Sequence, residues 1–239
     1  LAQTVAIQEN ALIDTSATQA GNGGAIAIWS ELKTTVAGIL KSMGGALSGN
    51  GGFIETSSKG TVVLAPTVSI NTSANNQTGK AGTWLLDPVD LLIDAPAASV
   101  ISSALSSGNV TIAVTANTTG CSLGSCILNG SGNLTIASNI LKAGTSYTTL
   151  TLNTVNTFTL FANITGQNLD VIINSSIAYL GIGTSISSSK VTVQAQTILS
   201  RGTIQTSNYL FGGGAGSLGN AIELLAEAIF VTGTLRINN

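Results

Sequence analysis

The sequence Gly-Asn-Gly-Gly-Ala-Ile at residues 21–26 returns, almost unchanged, as Gly-Asn-Gly-Gly-Phe-Ile at residues 49–54, about 28 residues further along the chain. A second motif, Ile-Asp-Thr-Ser-Ala at residues 13–17, recurs as Ile-Asn-Thr-Ser-Ala at residues 70–74 and as Ile-Gln-Thr-Ser at residues 204–207. Internal periods of roughly 20 to 50 residues are typical of solenoids. A β-sandwich has no reason to repeat one turn sequence at a fixed interval, so the repeat favours a solenoid.

The segments between the turns have the period-two pattern of half-buried strands. Apolar residues alternate with Thr, Asn or Gln at residues 110–114 (Val-Thr-Ile-Ala-Val), 150–153 (Leu-Thr-Leu-Asn) and 191–194 (Val-Thr-Val-Gln). Gly, Asn and Ser, which favour turns, separate these segments. Strands combined with the internal repeat predict an all-β fold, a parallel β-helix.

One short helix is predicted within this fold, at residues 97–106. Val100, Ile101, Ala104 and Leu105 fall on one helical face there, and Gly108 follows the end of the segment. Residues 31–47 can also be drawn with an apolar face, but Thr-Thr-Val and Gly-Gly within them are poor helix formers. We therefore interpret residues 31–47 as strands.

The composition excludes several classes of function. The 239 residues include no His, and 8 Lys and Arg stand against 10 Asp and Glu, so that only 8% of the chain is charged. Without clustered basic residues there is no electrostatic footprint for nucleic acid, and without His there is no Ser-His-Asp triad or His-ligated zinc site. The mean hydropathy is +0.44, yet Ser, Thr, Asn or Gly interrupts every apolar stretch before it reaches the length of a membrane-spanning helix.

The chain is interpreted as one β-helical unit over residues 1–239, within which the amino-acid composition changes. Residues 1–95 carry most of the Gly-Gly blocks, and residues 96–239 are richer in Thr, Asn and Ser. Both ends fall in ordinary repeat sequence without an obvious polar cap, and no signal peptide is visible. We expect the sequence to be a segment of a longer protein.

Five sequence blocks of residues 1–95 occur in an order that resembles the filamentous-haemagglutinin-like large exoproteins. The blocks, in chain order, are Gly-Gly-Ala-Ile-Ala-Ile-Trp-Ser at 23–30, Thr-Thr-Val-Ala-Gly-Ile at 34–39, Gly-Gly at 44–45, Gly-Asn-Gly-Gly-Phe-Ile-Glu-Thr-Ser at 49–57, and Gly-Thr-Trp-Leu-Leu-Asp-Pro at 82–88. The later half resembles the repeats of the family more loosely. The amino-terminal secretion domain of a complete member is not visible.

The resemblance implies a right-handed parallel β-helix in a protein that Gram-negative bacteria export by two-partner secretion. It implies a location outside the cell or on its surface, an outer-membrane transporter as partner during export, and adhesion to a glycan or protein on a host or neighbouring cell. We expect a non-catalytic stalk or adhesin segment without a cofactor or metal. Self-association of stacked ends into an extracellular filament is a close variant.

Cys121 and Cys126 are the two cysteines of the chain, with four residues between them. In an exported protein this spacing favours a local disulfide that closes a small loop. Two buried free thiols are the main alternative, because two Cys without His make a poor zinc site.

Asp87, Asp90 and Asp94 form the only acidic cluster, and they raise the alternative of a β-helical enzyme that degrades polysaccharide. Such an enzyme needs facing carboxylates or a basic residue beside an acidic group. No Lys or Arg lies between Lys80 and Lys142, and Asp-Pro is first of all a turn signal. We therefore favour structural roles for the three carboxylates and predict no catalytic residue.

Two further groups of residues could interact with sugars. Asn-x-Ser/Thr triplets, which are candidate glycosylation sites, occur at Asn71, Asn76, Asn109, Asn117, Asn129, Asn133, Asn163 and Asn174. Ser and Thr are so abundant that several such triplets arise by chance. Trp29 and Trp84 both follow Gly-containing turns, and their equivalent places in two repeats favour packing between repeats over stacking on sugar rings.

Overall fold

The computed structural model describes residues 2–76, 78–115, 130–206 and 221–237, and these residues are mostly β-strand with one helix. The helix α1 is Ala95–Leu105. The strands are β1 Thr4–Ile7, β2 Leu12–Asp14, β3 Ala25–Ser30, β4 Lys33–Val36, β5 Ile39–Lys41, β6 Phe53–Ser58, β7 Thr61–Leu64, β8 Ser69–Asn71, β9 Thr83–Asp87, β10 Leu91–Ile93, β11 Asn109–Val114, β12 Leu134–Ile136, β13 Ile140–Lys142, β14 Thr148–Thr154, β15 Thr157–Leu160, β16 Ile164–Gly166, β17 Leu169–Leu180, β18 Ser185–Ser188, β19 Lys190–Ser200, β20 Thr203–Thr206, β21 Ala221–Leu225, β22 Ala228–Val231 and β23 Thr234–Ile237.

Every strand pairing between described residues is parallel, and the chain returns to the same sheet after each circuit. Strands β1, β2 and β3 pair with β4, β5 and β6, which pair in turn with β7, β8 and β9. The prediction of an all-β parallel fold is therefore confirmed. Strands are also confirmed within residues 31–47, where β4 and β5 lie.

The largest sheet, called the long sheet here, has twelve strands in two branches. The main branch is β3-β6-β9-β11-β14-β17-β19-β21, and the second branch contains β10, β12, β15 and β22. The twelve-residue strand β17 and the eleven-residue strand β19 belong to both branches. The long sheet thus joins the early circuits to the last one without interruption.

The helix α1 takes the place of a strand on the side of the molecule formed by β2-β5-β8 and then by β13-β16-β18-β20-β23. It packs between β8 and β13, and Leu141 donates its backbone N–H to Ser102 Oγ at 2.9 Å. The helix begins two residues before the predicted start, because Asp94 caps it by accepting the N–H of Ala97 and Pro96 is accommodated in its first turn.

Inward-facing apolar side chains form a core that runs through the stacked circuits. In the main branch Leu86, Ile112, Leu152, Ile173 and Val193 occupy one register column, and all five are fully buried. Burial of each such side chain contributes on the order of 1.5–3 kcal/mol. The high hydropathy of the sequence therefore reflects a long core.

The repeated glycines lie where one circuit touches the next. Gly21 and Gly49 have positive φ angles of 117° and 115°, which strongly favour glycine. Gly24, Gly52 and Gly82 form a column, in which Phe53 N–H donates to the Gly24 carbonyl and Thr83 N–H to the Gly52 carbonyl, both at 3.0 Å. A Cβ atom on Gly52 would overlap the carbonyl oxygen of Gly24, and a Cβ atom on Gly82 would overlap that of Gly52. The repeat in the sequence thus follows from contact between backbones.

Candidate functional site

The acidic cluster does not form a catalytic constellation in the structure. Asp94 caps α1, and Asp90 accepts the backbone N–H groups of Ser131 at 3.0 Å and Asn133 at 2.7 Å. Asp87 ends β9, where burial first and the Glu55 carboxylate second raise its pKa. Each of the three carboxylates thus has a separate structural environment. Among the described residues no three His, Cys, Asp or Glu side chains are grouped as metal ligands.

Lys142, the first basic residue after that cluster, is also held by backbone groups. Its Nζ donates to the carbonyl oxygens of Gly144 at 3.2 Å and Gln167 at 3.0 Å, and its side chain is buried against Gly166. Burial lowers the pKa of this amine. Both hydrogen bonds go to backbone carbonyls, so Lys142 holds two backbone segments together.

A column of carboxamides lies on the outer face of the long sheet. Asn153 of β14, Asn174 of β17 and Gln194 of β19 are register partners on three successive strands, and we call them the carboxamide column. Asn174 Nδ2 donates to Asn153 Oδ1 at 2.7 Å. Asn153 Nδ2 and Asn174 Oδ1 make no hydrogen bond to another described residue. The column therefore presents a free donor and a free acceptor on neighbouring strands.

A groove lies beside this column, where β11 and β14 end. Its volume is about 330 Å³, and Asn153, Asn174, Thr115, Val155 and Ser176 are among its lining residues. All of the described lining residues are uncharged. Three consecutive residues from or just after each of the stacked strands β11 and β14, and three from β17, contribute to it, so the groove spans three strands.

Ser175 lines the same groove, and its hydroxyl is one of three buried serine hydroxyls, with those of Ser57 and Ser200, that have no partner among the described residues. The neighbouring hydroxyls are engaged: Thr154 donates to the Gly132 carbonyl, and Ser176 donates to the Val155 carbonyl at 2.8 Å. An unpaired buried polar group costs about 1–3 kcal/mol. Ser175 is therefore a polar group of the groove wall that the fold itself leaves unsatisfied.

The charged side chains of β17, β19 and β21 lie at other positions of the outer face, and each has a partner. Lys190 Nζ lies 3.1 Å from Glu223 Oε1, and Tyr147 Oη donates to Asp170 Oδ1 at 2.6 Å. Burial raises the pKa of Asp170, although the hydrogen bond from Tyr147 and the charge of Lys190 oppose that effect. These pairs leave the groove itself without a formal charge.

The structure confirms the packing prediction for one tryptophan and corrects it for the other. Trp84 is fully buried, pairs in register with Ile54, and donates from Nε1 to Thr56 Oγ1 at 2.9 Å. Trp29 pairs with Ser57, so the two tryptophans are not in equivalent places. Trp29 points to the opposite face of its sheet, where Lys59 Nζ lies 5.3 Å from the ring centroid. The sequence analysis placed each tryptophan by its distance from the preceding turn. A shift of register by an odd number of residues moves a side chain to the opposite face of the sheet, so this distance did not predict the face of Trp29.

The candidate glycosylation sites differ in what their amide nitrogens do. Nδ2 is the atom that a glycan would occupy, and it already donates a hydrogen bond in Asn76, Asn109, Asn133 and Asn174. Asn71 and Asn163 use Oδ1 as an acceptor and have an Nδ2 without a described partner. Asn117, Asn129 and the predicted disulfide of Cys121 and Cys126 lie outside the described residues.

Sequence reasoning did not identify the carboxamide column. The sequence did contain a signal, because Asn153, Asn174 and Gln194 are each the last residue of an alternating or apolar run. The separation between register partners on consecutive circuits, however, varies from 18 residues (Ser185 and Thr203) to 43 residues (Leu91 and Leu134). The alignment of the three amides follows only from the register.

No protein-family model, curated protein or solved structure matches this chain. In the part of the chain that the structure describes, no helix has the length and apolar character needed to cross a membrane.

Proposed function

We propose that this chain is a segment of a right-handed parallel β-helix and serves as a non-catalytic stalk or adhesin segment of a filamentous-haemagglutinin-like exoprotein. The main branch of the long sheet carries the proposal, since its eight strands are joined by parallel pairing from β3 to β21. Parallel connections in one sheet are right-handed in about 98% of cases, which supports the handedness. In this proposal the protein is secreted or displayed by a Gram-negative bacterium after export through a partner transporter.

A stiff rod follows physically from this arrangement. Backbone hydrogen bonds run along the stacking direction, and strands spaced about 4.8 Å apart would extend the main branch over roughly 3.5 nm. The fully buried column from Leu86 to Val193 stabilises the stack along the same direction. A rod of this kind holds a binding surface away from the cell that carries it.

An attachment assay tests the proposal. Beads coated with the purified protein should attach to epithelial or bacterial cells more than beads coated with an unrelated β-rich protein. Attachment equal to that of the control beads would contradict it.

A filament-forming role is a second candidate, and the last described circuit favours it. Ile229 and Leu235 are register partners of the fully buried Ile198 and Ile204, yet they are 44% and 45% exposed. No described strand pairs with β22 or β23 on the side away from β19 and β20, which leaves these side chains partly uncovered. In this variant the end of one copy stacks on the beginning of another.

The enzymatic alternative has a direct test. Asp90 is the acidic residue whose two oxygens both accept hydrogen bonds from the 131–133 segment. Turnover of any member of a polysaccharide panel that disappears in Asp90→Ala, with the fold intact by circular dichroism, would replace the structural role with catalysis. We expect no turnover in either protein.

A further inference from the structure

We propose that the carboxamide column and the groove beside it bind an uncharged polysaccharide chain that lies along the stacking direction. The inference deepens the proposed function and rests on it for the expectation that the ligand is extracellular. The ligand class is a neutral glycan, and the binding surface is the carboxamide column with the groove beside it.

The chemistry of the free groups favours a polyol. Asn153 Nδ2 offers hydrogens and Asn174 Oδ1 offers lone pairs, on neighbouring strands about 4.8 Å apart. A sugar hydroxyl both donates and accepts, so two hydroxyls of a glycan can satisfy this pair.

Charge complementarity favours a neutral glycan over an anionic one. No described lining residue of the groove carries a charge, and Lys190 on the same sheet is already paired with Glu223. An anionic chain would thus enter the groove without a free cation to balance it. The neutral lining matches a neutral chain.

The strand pairing disfavours an extended peptide as ligand. Peptides commonly bind by adding a strand to a free sheet edge. Here β14 is paired with β11 and β17, and β17 is paired with β14 and β19. Among the described residues no strand edge is free at the groove, so binding by strand addition is disfavoured there.

The repeated spacing suits a polymer better than a single sugar. Strands stack at about 4.8 Å, which is close to the length that one pyranose ring adds to an extended polysaccharide. Successive sugars could therefore meet successive strands, from the end of β11 through Asn153 and Asn174 to Gln194. Affinity is expected to rise with the number of sugars until the column is covered.

Affinity electrophoresis tests the inference with defined polymers. The protein should be retarded in gels containing at least one of hydroxyethyl cellulose, galactomannan or soluble starch, and less in gels containing polygalacturonate. Saturation-transfer NMR with oligosaccharides of the retarding polymer should then show tighter binding of hexamers than of dimers. Retardation by none of the neutral polymers, or stronger retardation by polygalacturonate, overturns the inference.

Two matched variants locate the site. Asn153→Asp keeps the oxygen that accepts from Asn174 but removes the free donor, so binding should weaken at least tenfold while the circular dichroism spectrum stays unchanged. Gln205→Glu makes the same change of charge on β20, outside the long sheet, and should bind like the unchanged protein. Equal binding by Asn153→Asp and the unchanged protein, or NMR contacts from a Ser/Thr-rich hexapeptide in place of the glycan, also overturns the inference.

The outcomes separate this inference from the proposed function. Protein that attaches to cells but binds no neutral polymer contradicts the glycan groove alone. Protein that does not attach to cells contradicts the adhesin role, whatever the gels show.

Discussion

Asparagine side chains connect one circuit to the next at several corners of the chain. Asn22 Oδ1 accepts the N–H of Asn50 at 2.8 Å, and Asn50 Oδ1 accepts the N–H of Lys80 at 2.8 Å. Asn139 and Asn163 repeat the arrangement later in the chain. Turns leave backbone N–H groups without a strand partner, and the amide oxygen supplies one. The abundant Asn residues therefore have a structural role at the corners.

Asn163 allows the contribution of this bond to be measured. Its Oδ1 accepts from Ser185 N–H at 2.8 Å and Ser185 Oγ at 3.1 Å. Asn163→Leu should lower the free energy of unfolding by about 1–2 kcal/mol, because the Ser185 groups lose their acceptor. Asn163→Asp keeps the acceptor and should lose clearly less. Urea denaturation of both variants provides the comparison, and equal losses would show that the bond is not the cause.

The same atoms determine which asparagines can carry a glycan. We expect that, among the described candidates, a host with an Asn-glycosylating enzyme modifies Asn71 and Asn163, whose Nδ2 atoms are free. Modification of Asn76 would remove the donor that contacts the carbonyl oxygens of Gly45 at 3.0 Å and Gly49 at 2.7 Å. Glycopeptide mass spectrometry measures the occupancy of each site. Higher occupancy at Asn76 than at Asn163 in folded protein would contradict the expectation.

At the scale of single elements, the ends of strands carry carboxylates with opposite effects on stability. Burial and Glu55 raise the pKa of Asp87 at the end of β9, whereas hydrogen bonds from Ser16 lower the pKa of Asp14 at the end of β2. A raised pKa in the folded state means that stability falls as pH rises from the ordinary Asp value through the raised one. A lowered pKa gives stability that is present above the ordinary value and is lost as pH falls through the lowered one.

Asp87→Asn should therefore stabilise the protein near pH 7 and have almost no effect near pH 3, where the carboxyl is protonated in both states. Asp14→Asn is the matched control. It should slightly destabilise the protein near pH 7, and this loss of stability relative to the unchanged protein should become smaller as the pH falls. Thermal unfolding of the two variants and the unchanged protein over this pH range measures both effects. A stabilising effect of Asp87→Asn that is the same at both pH values would show that ionisation is not responsible.

The elements themselves were largely predictable from the sequence, whereas their lateral alignment was not. Alternation identified β11, β14 and β19, and one apolar helical face identified α1 within two residues of its observed start. These signals are local, since they depend on neighbours along the chain. The carboxamide column and the different faces of Trp29 and Trp84 depend on register between circuits of unequal length. Register is fixed by packing of the whole stack and has no local signal.

At the scale of the whole molecule, one long sheet holds together circuits that are otherwise irregular. The sheet β1-β4-β7 does not continue into β10, and α1 replaces a strand on a second side. The main branch continues past both changes, with β9 paired to β11 and β11 to β14. Departures from regularity are thus confined to two sides, and the side that carries the carboxamide column remains a continuous surface.

The exposed end of the stack gives a test of filament formation. Leu235 is the register partner of the buried Ile204 on the last described strand and is 45% exposed, and Leu92 is 60% exposed on the second branch. If copies stack end to end, Leu235→Lys should abolish the assemblies, because a Lys ammonium would be buried against the apolar end of the next copy without a partner. Leu92→Lys adds the same charge at a lateral position and should leave assembly intact.

Sedimentation velocity over a range of protein concentrations, followed by electron microscopy of the largest species, measures the assembly. The unchanged protein and Leu92→Lys should form rods whose lengths are multiples of a single unit, and Leu235→Lys should sediment as single units. Equal loss of assembly in both variants would point to lateral association through exposed side chains. Single units of the unchanged protein at every concentration would leave the stalk or adhesin role as the function of this chain, because an end that does not bind a second copy cannot build a fibre.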